Sequence, residues 1–491
     1  MRIQKLIYTF FSVVFCTYSV QAAEINLQEA VSAAYENNPE LRAQNYSVAA
    51  AKSQKQKSYG GFLPNVSADL NSGTQNTKVN EGFTLKGAAN KKTIGLSQDL
   101  FNGGGTYFDI KRAGSVVSRE NSLKDAKEQE IILNVIEAYL NILRFEELVK
   151  IERDNLESQK RVLDYTQKKL SAKDATKSEF AKANADYLTA SSTKVAAENN
   201  LVSAKATFTK LTGIEINKIG ALKNVSDENF YKNISKLNSE TLFELALQNN
   251  PEIKAAQYGL DSAKYQSSMS KSSMSPSVKL TMSASEEKNP LYYNNQEYRN
   301  NSVYVNLHVP IFSSGVEYAN ISETNNIMNR EKYNLDGVRV KVRQQIVEFL
   351  NKIKSFHSQY ESVKEQEAAN EVYVMTLGEE ERLGTKSIID LLRANQELYI
   401  ARVSRVNLSY DKVLAIFNLK NLVGGLTYGS LNAGNILNDF TLAQESQSVT
   451  VVTSELPVKA AIAEERKVVE EIKVVEEVKS GEKKVFRLRQ P

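Results

Sequence analysis

The sequence predicts a mainly α fold with a small β part, built as one unit used twice. Three observations carry this. A heptad seam occurs twice at a fixed offset, paired motifs keep that offset along most of the chain, and short alternating segments stand at the same place in each copy.

The seam is clearest in "VRQQIVEFLNKIKSFHSQYESV", residues 342–363. Apolar residues fall at Val342, Ile346, Phe349, Ile353, Phe356, Tyr360 and Val363, spaced 4, 3, 4, 3, 4 and 3 apart. A helix that packs lengthwise along other helices has this pattern. Subtracting 211 from the first six positions gives Ile131, Val135, Ala138, Ile142, Phe145 and Val149, all apolar. "NNPE" stands at 37–40 and again at 249–252, an offset of 212 that becomes 211 at Phe101 and Phe312. It stays at 211 through Ala183-Asn184 and Ala394-Asn395 to Leu211 and Gly213, which match Leu422 and Gly424. So long a period indicates a duplicated domain rather than a solenoid. The expected organisation is a signal segment over 1–22, a first unit over 23–214, a linker over 215–237, a second unit over 238–425 and a C-terminal segment with a tail over 426–491.

Each unit has the same order of elements. A helix opens the first, with Asn26 as cap and Glu29 placed to complete a capping box. Asn38 and Asn250 then cap second helices that carry Pro39 and Pro251 at their first position and run to about Ser58 and Ser270. Two strands follow. Val66, Ala68 and Leu70 alternate with Ser67, Asp69 and Asn71; Ile94, Leu96 and Leu100 alternate with Gly95, Ser97 and Asp99, with Gln98 interrupting the apolar face. The second unit repeats this with Val278, Leu280 and Met282 against Lys279, Thr281 and Ser283, then Val303, Val305, Leu307 and Val309 against Tyr304, Asn306 and His308. Such alternation marks strands with one apolar and one polar face, in a membrane barrel or in a half-buried soluble sheet. A glycine turn at 103–105 or at Gly315 leads into long helices over about 106–170 and 316–382. Breaks at Lys173-Asp174 and Gly384-Thr385 start return helices, which end at "LTG" and "LVG", where the glycine suits a C-cap. The tail carries "VVEEIK" and "VVEEVK" at 468–479, mixed charge without a core pattern, as in a mobile or weakly helical extension.

Composition narrows the function classes. The net charge of +4 over 491 residues does not point to nucleic acid. Arg2 and Lys5, the apolar run from Leu6 to Val14 and small residues before a site near Ala22 read as a secretory signal. Beyond it no apolar run is long enough for a transmembrane helix. Cys16, the single cysteine, lies within that signal after Phe15, so the mature chain has no thiol and no lipid-anchor motif. Only His308 and His357 are present, there is no phosphate loop or metal-spaced cluster, and carboxylates on heptad helices read as solvated faces, so neither an enzyme nor a cofactor is expected.

Four strands cannot close a wide barrel, and lipid does not tolerate an open sheet edge. Three chains would supply about twelve strands, an even number that closes, and six helical hairpins around one axis, reaching ~100 Å at ~1.5 Å per residue. The expectation is a trimeric twelve-stranded outer-membrane β-barrel continuous with an α-helical periplasmic tunnel, against the alternative of a secreted or surface-anchored structural coiled coil.

The doubled "NNPE" start, "LPNVSADL", "DLFNGGG" against "VPIFSSG", "GTKSIIDLLRANQELYIAR" and the closing "LTG" resemble the TolC family of outer-membrane channel-tunnel proteins over about 24–425. The resemblance implies a homotrimer in outer-membrane lipid that docks a periplasmic adaptor and an inner-membrane transporter for efflux or type I secretion. It also implies a gate at the hairpin tips. There Lys386 stands at a basic position, Asp390 at a constricting acidic one, and Glu179 matches an acidic partner on the first hairpin. The pattern departs from the family at Arg393, where a second acid can stand, at Glu381, which replaces an aromatic link, and at "SAKDATKS", which lacks the usual Val-Gly-Leu. The expected gate pairs Lys386 with Glu179 and rings the axis with Asp390. In the barrel, Val66, Leu70, Ile94, Leu280, Val305 and Leu307 are expected toward lipid, and Ser67, Asp69, Thr281 and His308 toward the lumen. Phe62, Phe101 and Phe312 would mark the periplasmic membrane boundary, and Tyr292, Tyr293 and Tyr298 the outer one.

Overall fold

The structure, a computed structural model, describes residues 25–79, 83–216, 238–288, 297–427 and 429. The expected signal segment, residues 217–237, Tyr292, Tyr293 and the expected tail lie outside the described residues.

Helix α1 (Leu27–Asn37) begins at Asn26, whose side chain takes the Glu29 N–H while Glu29 reaches back to the Asn26 N–H. Helix α2 (Pro39–Tyr59) starts from Asn38, whose Oδ1 takes the Glu40 and Leu41 N–H groups, and proline follows at the first helical position. In the second unit α5 (Ser239–Asn249) starts from Asn238, whose Oδ1 takes the Glu240 N–H, and α6 (Pro251–Ser272) from Asn250, whose Oδ1 takes the Ile253 N–H.

The same asparagine pair explains why two distant motifs recur together. Asn250 also donates from Nδ2 to Leu422 O at 2.8 Å, closing the end of the return helix α8 (Ile388–Leu422). In the first unit Asn37 Nδ2 approaches Thr212 O at 3.5 Å, at the end of α4 (Lys177–Thr212). Gly424, at φ +76°, lies so close to Asn249 that a Cβ there would sit 2.6 Å from the Asn249 carbonyl oxygen. "NNPE" and the terminal glycine motif therefore meet in space and lock each hairpin's return end to the start of its unit.

The strands are β1 (Asn65–Val79), β2 (Phe83–Asn102), β3 (Ser277–Lys288) and β4 (Glu297–His308). All neighbours are antiparallel, in the order β1-β2-β3-β4. β1 and β2 run longer than the alternating stretches, because their ladder continues from Asn71↔Lys91 to Val79↔Phe83. Ladder bonds satisfy the backbone whatever the side chains are, so alternation undercounts strand length. The units merge at β2–β3, where the register shifts between Asp99 and Phe101.

The long helices α3 (Gly105–Ser171) and α7 (Val316–Arg382) have 67 residues each. At ~1.5 Å per residue each spans roughly 100 Å. Helix α3 packs against α2 and α6 toward the sheet and against α4 and α8 toward the tips; α7 packs against α5, α6 and α8. The main core joins α1 and the start of α2 to the middle of α3: Leu27, Ala30, Val31, Ala34 and Leu41 meet Ile131, Val135, Ala138, Tyr139 and Ile142, with Phe208 and Phe417 closing it. The first copy of the seam thus lies in the main core.

Candidate functional site

Two regions position the groups that matter, the sheet and the paired hairpin tips. In the sheet the register aligns like with like. Val66 opposes Leu96, Ala68 opposes Ile94, Leu96 opposes Met282, and Leu280 opposes Val305. Val66, Leu70, Ile94, Leu280, Val305 and Leu307 therefore share one face. Gln98 falls on that face opposite Leu280, where its amide donates to Phe62 O and Asp99 O, each at 3.0 Å. Ser67, Asp69, Thr281 and His308 share the other face, which carries Asn306 Nδ2 to Thr281 Oγ1 at 3.1 Å and Lys279 to Asp99 at 3.4 Å. No helix among the described residues covers the apolar face: Val66, Leu70, Ile94, Val305 and Leu307 are 61–77% exposed, and Leu280 is half-buried. An apolar patch of this extent, bare in water, is a contact surface for lipid or protein. Both β1 and β4 are open edges.

At the tips, the turn after α3 passes through Lys173 at φ +67° and the turn after α7 through Gly384 at φ +75°. Glu179 and Asp390 are equivalent in the duplication, since 390 − 179 = 211. Each is the third residue of its helix and closes a capping box. Glu179 Oε2 accepts the Thr176 N–H at 2.6 Å and its hydroxyl at 2.9 Å, and the backbone bond above all holds its carboxyl below the usual range. Asp390 takes the Ser387 N–H at 3.4 Å. No Lys386–Glu179 pair is made among the described residues of the single chain, where Thr176 takes Glu179 Oε2. Lys386 and Arg393 are exposed and have no ion pair among the described residues of the chain.

The link between the hairpins lies one helical turn higher, at a residue that sequence reasoning took only as a departure. Glu381 of α7 is buried, with 3% of its side chain exposed. It accepts from Lys169 Nζ at 2.5 Å and Tyr165 Oη at 2.9 Å, both on α3. The hydrogen bond to Glu381 raises the Lys169 pKa, against partial burial. A second buried carboxylate, Glu152 of α3, accepts Tyr399 Oη of α8 at 2.6 Å and Thr193 Oγ1 of α4 at 2.8 Å. Burial and this bond push the Tyr399 hydroxyl pKa upward. Farther up, Arg144 pairs with Asp411 at 2.9 Å. The reading of the helix carboxylates as solvated faces is therefore corrected for Glu152, which takes donors from α4 and α8, and for Glu381, which takes two donors from α3. One sequence signal existed: the equivalents of Glu152 and Glu381 are Val363 and Leu170, which marks both positions as seam positions.

Among the described residues no cluster of His, Cys, Asp and Glu could hold a metal ion, and no helix is long and apolar enough to cross a membrane. The arrangement is a wall: an amphipathic sheet above, and long helices tied by buried carboxylates below.

Comparison with known proteins bears on this wall. The model of the family described as "Outer membrane efflux protein" matches residues 30–214 and 242–425, the two units. The outer membrane efflux protein BepC of Brucella suis biovar 1 (strain 1330) is 24% identical over 416 residues, 82% of this chain and 86% of that one. The alkaline protease secretion protein AprF of Pseudomonas aeruginosa is 22% identical over 467 residues, 92% of this chain and 95% of that one. The crystal structure of the Campylobacter jejuni CmeC outer membrane channel superposes with a TM-score of 0.71 at 19% identity, covering 84% of this chain and 88% of that one.

Proposed function

The chain belongs to the outer membrane efflux protein family, and from that premise we propose that three copies form the exit duct of a tripartite export system. Membership makes it a non-enzymatic outer-membrane export protein of a Gram-negative cell, with a long periplasmic part, rather than a secreted coiled coil. The observation that carries the finer reading is the sheet: one bare apolar face, one polar face and two open edges, standing over helices of ~100 Å. Lipid forbids open edges, and three copies remove all of them in a closed barrel of about twelve strands. The apolar face then meets lipid, and Ser67, Asp69, Thr281 and His308 line a water-filled lumen. An inner-membrane transporter and a periplasmic adaptor deliver the cargo, small molecules or polypeptide, to the tunnel.

The tips form the gate. Three copies of Asp390 ring the axis and favour cations, and Arg393 nearby works against that preference. Lys386 and Arg393, which make no ion pair among the described residues, are available to acids of a neighbouring copy, so Lys386 would meet Glu179 across copies. Exposed pairs of this kind contribute ~0–1 kcal/mol each, weak enough for an adaptor to open by modest differential binding. In each hairpin pair, the Glu381 link adds a partly buried tie.

The test combines mass and labelling. The detergent-purified chain should be trimeric and should conduct in planar bilayers. Single cysteines at Ser67, Asp69, Thr281 and His308 should react with a water-borne thiol reagent, and those at Val66, Leu70, Ile94, Leu280, Val305 and Leu307 should not. A monomer without conductance, or equal labelling of both sets, overturns the reading.

A further inference from the structure

The foot of the sheet, where strands give way to helices, has two sides of different charge. Asn102 pairs with Ser277 on the polar face of the sheet, and its amide donates to Thr106 Oγ1 at 2.7 Å. A cavity of about 450 Å³ opens at this side, between α2, α3 and α6, with Asn102, Lys57, Asp109 and Ser272 on its wall. Asp109 accepts from Arg112 at 2.7 Å. This polar side of mixed charge continues the lumen face. Phe101 pairs with Val278 on the apolar face, so the helix flanks turned away from the cavity continue the face that meets lipid.

Those flanks carry lysine and tyrosine and almost no acid. On α2, Lys52 and Tyr59 are seven residues apart with Lys55 between them, and on α6 their equivalents are Lys264 and Lys271. The Lys55 stem lies toward Gly114 of α3, where a Cβ would be 4.0 Å from its Cε. On α3, Tyr107 and Lys111 stand one turn apart, with the Lys111 ammonium 5.6 Å from the Tyr107 ring centre. Tyr318 is the equivalent of Tyr107 on α7. Tyr59, Tyr107 and Tyr318 are 48%, 53% and 63% exposed. Lys264 pairs with Asp261 at 3.0 Å, whereas Lys52, Lys55, Lys111 and Lys271 make no ion pair among the described residues. No acid stands in the chain between Glu40 and Asp69. On α7, Glu317 and Glu323 are the equivalents of Thr106 and Arg112, positions of the cavity side, which keeps both acids off this flank.

The heights match a headgroup layer. Lys271 is the last residue but one of α6, Lys55 and Lys52 are four and seven residues from the end of α2, and Lys111 is six residues into α3. At ~1.5 Å per residue all four lie within roughly 11 Å of their helix ends, and a lysine stem laid along an apolar wall lifts its ammonium toward the membrane. The upper end of the apolar face differs: Lys92, Glu286 and Arg299 share one row there, both signs together.

We infer that Lys52, Lys55, Lys111 and Lys271, with Tyr59, Tyr107 and Tyr318, form an outward belt that binds the phosphate groups of anionic phospholipid in the periplasmic leaflet. This rests on the lipid-facing reading of the sheet and adds which lipid the barrel selects. The belt is continuous with the bare apolar face, and tyrosine suits such a boundary, with its ring against acyl chains and its hydroxyl among headgroups. Four unpaired lysines per copy complement a phosphodiester, whereas the mixed row above favours neither sign. Salt screens such attraction beyond about 8–10 Å, so the selection weakens as ionic strength rises.

The chain has no tryptophan, so Tyr107→Trp supplies a single fluorescent reporter inside the belt. Copy number is checked by light scattering, and the full chain is reconstituted in phosphatidylcholine vesicles with increasing brominated phosphatidylglycerol or brominated phosphatidylcholine, whose bromines quench tryptophan on contact. Phosphatidylglycerol should be preferred about three-fold or more at low salt. Lys55→Gln with Lys111→Gln should abolish the preference, and Lys57→Gln, on the cavity side, should leave it unchanged. Val305→Trp, on the apolar face, reports lipid contact of the sheet independently. Where Tyr107→Trp fails to assemble, the equivalent Tyr318→Trp replaces it as reporter. Equal quenching of the belt reporter by the two lipids, or a preference lost as fully in Lys57→Gln as in the double variant, overturns the belt and leaves the barrel standing. No quenching at the belt while Val305→Trp is quenched places this flank in water, open to a soluble acidic partner, and overturns the belt alone. No quenching of either reporter overturns the belt and the barrel together.

Discussion

Helices α3 and α7 have the same length, follow left-handed glycines (Gly104 and Gly315) and carry the same heptad seam, yet sixteen residues of α3 are buried against eight of α7. The difference is positional. α3 has helices of its own unit on one side, α2 and α4, and of the other unit on the other, α6 and α8; α7 has neighbours on one side only. Ser122, Gln129 and Ile136 are buried on α3, and their equivalents Tyr333, Val340 and Val347 are bare on α7. A duplicated sequence thus makes two equal helices and one unequal environment. The surplus apolar surface on α7 and α4 stays bare in the single chain.

The sharpest way to break that comparison is at one equivalent pair. Ile136→Ala, at a position with 0% exposure, should destabilise the chain by about 3 kcal/mol, as transfer and cavity terms add. Val347→Ala, 41% exposed, should change the unfolding of a dissociated chain by no more than about 0.5 kcal/mol, yet lower the temperature at which trimers dissociate. Denaturant unfolding followed by circular dichroism reads the first effect and semi-native gels the second. Equal costs in the dissociated chain would mean that α7 is covered from within.

A smaller effect is expected at the tie between the two helices. Glu381→Leu installs the residue found at the equivalent Leu170 and leaves the Lys169 ammonium and Tyr165 hydroxyl without their acceptor. Because the Lys169 side chain is 30% exposed, water replaces part of the loss, and about 1–2 kcal/mol is expected. Hydrogen exchange near residues 370–382 should quicken and single-channel conductance should rise. Unchanged exchange would make Glu381 a bystander rather than the link.

The smallest effect compares the two turns. Lys173 adopts a left-handed conformation that its equivalent Gly384 adopts without a side-chain penalty. Lys173→Gly should stabilise the first tip by up to about 1 kcal/mol, and Gly384→Ala should destabilise the second by a similar amount. Thermal melts of the two variants should shift in opposite directions; shifts of the same sign would show that the turns are not equivalent.

The sheet residues were legible because a two-residue period places side chains on alternate faces whatever the sheet packs against, and the register then brought Val66, Ile94, Leu280 and Val305 onto a common face. The tips were legible in part. "TKSE" and "SIID" place Glu179 and Asp390 at helix starts, where the nearest donors are the backbone N–H groups of Thr176 and Ser387. Glu381 was not legible as a tie, because its partners Tyr165 and Lys169 are more than two hundred residues away in sequence.

The sequence by itself determined the units and their offset, the caps at Asn26, Asn38 and Asn250, the long helices and the amphipathic strands, because each is set by hydrogen bonds and periodicities that close within a few residues. Only the tertiary structure decided which helical flanks are buried, that Glu152 and Glu381 lie between hairpins, and that the Asn37–Asn38 and Asn249–Asn250 corners meet the ends of α4 and α8. Those outcomes depend on which distant element arrives alongside. Equivalent residues such as Ile136 and Val347 carry the same local pattern and end in different surroundings, since burial belongs to the neighbour and not to the helix.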